Sequence, residues 1–529
     1  MTLGRRALSE ILRSAARLPR SRVGFAAALL MGATLFCSAT ARAQSQPAQT
    51  GGSATDKPAA KASGKSKDKP KRKLGPLQIS GNWRLRAEGW DWFQAAGGNN
   101  LYVFPHSLLL VGLGQTGEKF EWHVEAAQAS ILGLPSNATQ GAPQGQLGLG
   151  GTYYAANGNS SNNASGFVKE AYVRFNELGR GRLRLGRFGY IDGTEVKPKD
   201  PTVAQLVQTR IAQRLIGDFG WSAVGRSFDG AQFDYAAGQG DFTVMGGRAT
   251  QGVYQVDGNG ELDVDIYYGA FSLPSEDSWG AGDLRIFSLG YVDDRTSVLK
   301  TDNRPIAERT ADHGNIEIGT YGADYVRVFN TAAAGKYDFL VWGALQNGSW
   351  GQLAQRAGAF VGEFGWQPPV KTWKPWLSAG YSFGSGDGNP NDATHGTFFQ
   401  ALPTPRVYAR FPFYDMENNE DFYGSFNFHP HSKLAMRSEV HALRLANRND
   451  LWYLGGGAFQ PGTFGYVGRP SNGHRSLANV WDLSSDYQMT GYFSIGLYYA
   501  HAWGKAVLQS IYPKNPNAQF AYVETNLRF

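Results

Sequence analysis

Residues 518–529 read Ala-Gln-Phe-Ala-Tyr-Val-Glu-Thr-Asn-Leu-Arg-Phe, and the alternation in that stretch decides the fold class. One side of the extended chain carries Ala521, Val523, Thr525, Leu527 and Phe529; the other carries Tyr522, Glu524, Asn526 and Arg528. Successive side chains of a strand point to opposite faces, so this is a ribbon with one apolar and one polar face. A strand that crosses a membrane needs about 9–11 such residues, with aromatics near both interfaces. A terminal Phe on such a strand resembles the signal read by the outer-membrane assembly machinery, which makes that machinery an expected partner.

The same pattern recurs along the chain. It predicts strands near 79–92, 101–114, 120–130, 167–176, 182–190, 226–236, 242–250, 261–271, 284–292, 315–328, 337–347, 357–366, 374–383, 420–429, 434–445, 476–486, 493–503 and 518–529. That is an all-β chain: a transmembrane antiparallel β-barrel of eighteen strands. Every second connection is short: 115–119, 177–181, 237–241, 330–336, 367–373, 430–433 and 489–492, with 272–283 the one long exception. The alternate connections are mostly longer, at 131–166, 191–225, 293–314, 384–419 and 446–475. Short turns on one side and long loops on the other characterise an outer-membrane barrel, and an even strand number places both termini in the periplasm. A soluble β-sandwich predicts neither the asymmetry nor the terminal Phe.

Working outward to the N-terminus, residues 1–43 read as a cleaved signal peptide. Arg5, Arg6, Arg13, Arg17, Arg20 and Arg22 form a basic region, 23–37 is an apolar run, and Ala41-Arg-Ala43 is a small-x-small cleavage site. The run is short for a membrane anchor, and Phe36 before Cys37 argues against a lipoprotein. Residues 44–76 are rich in Ala, Ser, Pro, Gly and Lys, without apolar periodicity, and read as a disordered Lys-rich periplasmic tail. These two ends carry +6 each, leaving −5 for residues 77–529, the barrel domain, out of a chain total of +7. The basic balance therefore belongs to the ends and does not indicate nucleic-acid binding. The one cysteine lies in the signal, so the mature chain has no disulfide or thiol chemistry. The expected location is the Gram-negative outer membrane, with its lipid as a partner.

Eighteen strands enclose an aqueous channel, and a charge facing lipid at the midplane costs about 2–4 kcal/mol, so the apolar stripe assigns charges to the lumen. In strand one, Trp83, Leu85 and Ala87 alternate with Arg84, Arg86 and Glu88. In strand four, Ala171, Val173 and Phe175 alternate with Glu170, Tyr172 and Arg174; in strand five, Leu183 and Leu185 alternate with Arg182 and Arg184. In strand fifteen, Met436, Val440 and Ala442 leave Arg437, Glu439 and His441 inside. In strand eight, Leu262, Val264 and Ile266 are assigned to lipid and Glu261, Asp263 and Asp265 to the lumen. Arg187 falls on the lipid side with Leu185, so either Gly186 marks a bulge that turns it inward or it sits at the interface. Arg327 and Asp324 of strand ten conflict unless the register slips.

Luminal guanidinium groups are always charged and meet carboxylates with a planar fork, so a row of them can pass a polyanion from site to site; simple pairing with luminal acids is the alternative. The segment 384–392, Gly-Ser-Gly-Asp-Gly-Asn-Pro-Asn-Asp, offers Asp387, Asn389, Asn391 and Asp392 as oxygen ligands for Ca²⁺, although self-bonded Asp/Asn turns explain it as well. Otherwise no cofactor is expected. Loop 136–166 reads as a lid or a disordered tip. The histidines are scattered, no nucleophile motif surrounds a serine, and there is neither a phosphate loop nor a zinc spacing, so the chain does not read as an enzyme.

Three stretches resemble the alginate-export (AlgE-type) outer-membrane porins: Leu183-Arg-Leu-Gly-Arg187; Arg214-Leu-Ile-Gly217 with Trp221 and Gly225-Arg-Ser-Phe-Asp-Gly230; and 384–392 followed by Gly396-Thr-Phe-Phe399 and Pro403. The resemblance implies an eighteen-stranded barrel whose Arg-rich constriction passes polyuronate, gated by an outer loop and a periplasmic turn. It points to Arg174, Arg184, Arg187 and Arg214 as the constriction and to 131–166 as the outer gate. The turn before strand seventeen, 489–492, is very short for the inner gate the resemblance implies, so either this member lacks that gate or 272–283 substitutes for it. Three functions follow: passive passage of an anionic polysaccharide, general diffusion of small anions or sugars, and a surface adhesion or envelope-anchoring barrel. Periplasmic export components are candidate partners of the first.

Overall fold

Eighteen antiparallel strands pair in chain order and close on themselves: β1 (Leu77–Asp91), β2 (Leu101–Thr116), β3 (Phe120–Ile131), β4 (Asn163–Leu178), β5 (Gly181–Phe188), β6 (Phe228–Ala237), β7 (Gly240–Thr250), β8 (Glu261–Asp277), β9 (Gly280–Asp293), β10 (Ile316–Thr331), β11 (Gly335–Trp350), β12 (Leu353–Gln367), β13 (Trp376–Gly384), β14 (Asn419–His431), β15 (Leu434–Leu445), β16 (Ser476–Gln488), β17 (Phe493–Gly504) and β18 (Asn517–Arg528). The computed structural model describes residues 73–295, 297–331, 333–405, 408–411, 415–454 and 467–529. The predicted signal segment and the predicted tail up to residue 72 lie outside the described residues. Each predicted strand is present, and closure runs through β1 and β18, where Ala87 faces Val523 and Trp83 faces Leu527. Phe529 continues that ladder by exchanging both backbone bonds with Gly81, at 2.8 and 2.9 Å. Its ring lies against residue 81 where a Cβ would stand, so any larger residue there would have to displace the Phe529 ring.

One end of the barrel carries the short turns and the other the long loops. The turn end holds the start of β1 and the end of β18. The predicted long connection 272–283 is corrected: β8 and β9 stay paired as far as Asp277 opposite Gly280, and only 278–279 form the turn. Pro274 is accommodated in the ladder opposite Asp283. A ladder that outruns the apolar band needs no apolar stripe, so the stripe criterion stopped too early. With 278–279 so tight, this connection supplies no substitute inner gate.

The long loops turn inward. Loop 132–162 carries a helix, α1 (Leu149–Ala156), whose Tyr153 is fully buried. Loop 189–227 carries α2 (Pro201–Leu206), running on into a π-helical turn, Val207–Ile211. Asp200 caps α2 by accepting from Thr202 N (2.8 Å) and Val203 N (3.0 Å), and Pro201 occupies the first position, where no N–H is needed. This loop descends to the turn end, where Lys336 Nζ lies 3.3 Å from Thr202 Oγ1. Loop 385–418 joins it: Leu402 N donates to Leu215 O and Gly217 N to Leu402 O, both at 2.8 Å.

Candidate functional site in the lumen

The inward faces of β7–β12 are covered. Met245, Ile266, Phe287, Leu289, Val326, Val328, Leu340, Trp342 and Val361 pack against Val203, Leu206, Ile211 and Leu215 of loop 189–227 in one apolar cluster. The polar groups trapped there are tied together. Arg285 reaches Asp324 at 2.7 Å, Asp192 at 3.5 Å and Glu195 at 3.6 Å, and Tyr268 donates to Glu195 at 2.7 Å. Burial pushes the carboxyl of Asp192, a loop residue, up to about 6, with Arg285 opposing the rise. Arg210 bridges the two walls, to Glu363 of β12 at 3.1 Å and Glu439 of β15 at 2.8 Å. Arg214 is buried in this half, its guanidinium 4.1 Å from the Tyr408 ring and 5.2 Å from that of Trp342, and it donates to the Arg210 carbonyl.

The other half, walled by β14–β18 and β1–β6, carries charged and polar side chains on its inner face, while toward the loop end Trp90, Tyr102, Phe104 and Phe520 pack against Leu147, Leu149 and Tyr153 of loop 132–162 in a second apolar cluster. Arg84, Arg86 and Glu170 point inward as predicted. Arg86 pairs with Glu524 at 2.5 Å and Glu88 at 3.3 Å, and its guanidinium lies 4.5 Å over Trp221 and 4.8 Å over Tyr522. Lys169 and Glu170 both face inward because a bulge in β4, opposite Glu125 and Ala126, breaks the alternation. Arg174 and Arg184 are direct cross-strand neighbours. Both stand over the Tyr172 ring, at 5.5 and 5.4 Å. Arg174 has Glu121 at 3.5 Å, while Arg184 donates to neutral acceptors, Gln232 Oε1 and the Gly189 carbonyl. Like charges directly opposite one another on a sheet repel. Arg437 and His441 are also luminal: Arg437 lies 2.5 Å from Glu439, and His441 bonds Asp421 at 2.7 Å. Glu439, His441 and Asp482 come close enough to share an ion, but Arg210 and Arg437 already flank Glu439.

Several sequence assignments are corrected. Glu261, Asp263 and Asp265 face outward, while Leu262, Val264 and Ile266 are the buried, inward residues. Here the inward loops make the inside of the wall apolar and reverse the stripe. These acids meet Arg248, at 2.8 Å from Asp265, 3.5 Å from Glu261 and 3.6 Å from Asp263. Arg187 is outward as well, paired with Asp229 at 2.6 Å, and the Tyr172–Gly186 register runs through without a bulge. It is therefore no part of a constriction. No slip is needed in β10: Asp324 faces in toward Arg285, and Arg327 faces out to Asp277 at 2.6 Å.

In segment 384–392 one side-chain oxygen each of Asp387, Asn389 and Asp392 accepts a local turn bond. Asp387 accepts from Asn389 N, Asn389 from Asn391 N and Asp392 from Thr394 N, at 3.0, 3.2 and 2.8 Å. The segment is stapled by Asp450, whose Oδ2 accepts from Asp387 N at 2.8 Å and Thr397 Oγ1 at 2.6 Å.

The sequence reading missed Arg285, Arg210 and Arg410, whose guanidinium stands 5.5 Å from the Tyr498 ring and 6.0 Å from that of Tyr522. Arg285 was findable, because Leu284 and Ile286 flank it with an outward stripe. Arg210 and Arg410 lie on loops, where no periodicity tells which way they point.

A sequence profile described as alginate export matches residues 77–510. The chain belongs to the alginate-export family. Its barrel is similar to the crystal structure of Acinetobacter baumannii OccAB2, with a TM-score of 0.52, 9% identity, and 85% of this chain and 98% of that one covered. It is likewise similar to Pseudomonas aeruginosa OccK9 (OpdG), with a TM-score of 0.50, 10% identity, and 86% and 98% covered. At such identities these two share the fold alone. No curated protein matches the chain. Family and barrel together make this alginate-export protein an outer-membrane channel.

Proposed function

We propose that this channel conducts an anionic polysaccharide, an alginate-like polyuronate, by passive diffusion along the charged half of the lumen. The observation that carries the reading is the Arg174–Arg184 pair: two guanidinium groups side by side over one aromatic ring, with Glu121 3.5 Å from Arg174. Such a pair offers two planar forks to a uronate carboxylate, with Glu121, Glu170 and Asp234 as the acids around it. Arg84 and Arg86 add two further guanidinium groups on the β1 wall, Arg86 paired with Glu524 and Glu88, and Arg437 adds one on β15, 2.5 Å from Glu439. In this reading the turn end faces the periplasm, the loops face outward, and loop 132–162 covers the outer mouth. Lipid covers the outward stripe, and the reading requires no resident cofactor. The general porin for small anions or sugars draws support from the pairs Arg86–Glu524 and Arg210–Glu439, which already neutralise two luminal cations.

Reversal potential in a planar bilayer under a salt gradient, with and without polymannuronate, separates the two. Anion selectivity with polymer block is expected. Cation selectivity, or conduction unaffected by polymer, leaves the general porin as the better account.

A further inference from the structure

The turn 218–222, on the returning limb of loop 189–227, reaches across to β1. Arg84 donates to the carbonyls of Gly220 and Ser222, and Arg86 donates to that of Trp221 at 2.8 Å. Three consecutive carbonyl oxygens thus occupy the guanidinium forks that face the lumen. Chemically they stand in for carboxylate oxygens, since both accept N–H bonds through lone pairs in the same plane. A carbonyl is neutral, however, and a bond between two ionised partners is the stronger.

The turn is built as a unit. Asp218 accepts from Gly220 N at 2.9 Å, Ser222 Oγ accepts from Gly225 N at 2.9 Å, and Asp218 O accepts from Arg226 N at 2.6 Å. Gly225 closes it at φ +73°, a conformation few other residues adopt. Phe219 and Ala223 are buried at its base, while Gly220 at its tip is exposed. Its tip meets the wall through the two arginines and through the Trp221 ring, which lies under Arg86 and within 6.3 and 6.4 Å of the Phe520 and Tyr522 rings, while its base is anchored apart from them.

We infer that the turn 218–222 is an internal ligand of the Arg84–Arg86 site, and that a carboxylate of the transported polyanion binds there by displacing it. This rests on the polyuronate reading for the identity of the ligand. Glu524, which already pairs with Arg86, stays on the wall and keeps the emptied site from holding an anion too tightly to release.

The test compares wild type, the double variant Asp218→Ala/Ser222→Ala and Arg84→Gln in planar bilayers, each checked for folding by heat-shifted gel mobility. Ser222→Ala alone replaces the double variant if that does not fold. Weakening the turn raises polymer-free conductance and lowers the half-blocking concentration of polymannuronate, each by about tenfold, because the ligand no longer competes with the carbonyls. Arg84→Gln also raises polymer-free conductance, but moves the half-blocking concentration upward. Turn variants matching wild type in both readouts overturn the inference and leave the polyuronate reading standing. Polymer that blocks no form, wild type included, removes the polyuronate reading and displacement by uronate with it.

Discussion

On the walls β7–β12 the inward positions carry Ile266, Phe287, Leu289, Val326, Leu340 and Trp342, and a loop with its own helix packs on them. On β1, β4 and β5 the corresponding positions carry Arg84, Arg86, Glu170, Arg174 and Arg184, and rings of Tyr172, Trp221 and Tyr522 lie among the guanidinium groups. The same alternating ribbon serves both, so alternation alone does not make a pore lining. One half behaves as a protein core, close-packed and intolerant of unpaired charge. The other holds most of its charges in pairs, Arg86 with Glu524 and Arg437 with Glu439, and leaves the Arg174 side chain 30% exposed. Substitutions in the first half should register as stability, and in the second as conduction.

The largest effect is expected at Arg285. Arg285→Ala leaves Asp192, Glu195 and Asp324 without their cation in a buried site, at a cost of about 3–5 kcal/mol. The midpoint of heat-induced gel-mobility change should fall accordingly; an unchanged midpoint would mean that the packed half is not a core. Trp342→Ala is its apolar counterpart, with a loss of about 3–5 kcal/mol and the same readout.

In the lined half, Arg174→Gln/Arg184→Gln should raise the half-blocking concentration of polymannuronate by about tenfold or more, with stability shifted by no more than about 1 kcal/mol. A large stability loss in this double variant would erase the distinction between the halves.

A smaller effect sharpens it. Asp192 has its carboxyl raised to about 6, above the ordinary aspartate value near 4. An acid whose folded value is raised costs nothing below its unfolded value and costs progressively more up to its folded one. The packed half should therefore lose on the order of 2 kcal/mol between pH 4 and pH 6 through this group. Asp192→Asn, which can still accept from Leu215 N and Ile216 N, should remove that part of the pH dependence in melting curves at the two pH values. The smallest effect is expected at Arg187, on the outer face: Arg187→Ala should leave polymer block unchanged and alter stability by about 0–1 kcal/mol.

The sequence by itself determined the strand number, the order of pairing and the position of each two-faced ribbon. Those follow from a period of two and from turn residues, which are local properties. It also placed Arg84, Arg174, Arg184 and Arg437 on the inner face, because their stripes border lipid at mid-height. Only the tertiary structure decided which face of β8 is inside, since Leu262 and Val264 are apolar for the sake of loops that arrive from elsewhere in the chain. Only it could set Arg210 against Glu363 and Glu439, or the carbonyls of Gly220, Trp221 and Ser222 against Arg84 and Arg86. Alternation records that a strand has two environments; which of them is lipid, water or packed protein depends on what fills the space beside it, and loops without periodicity fill this lumen.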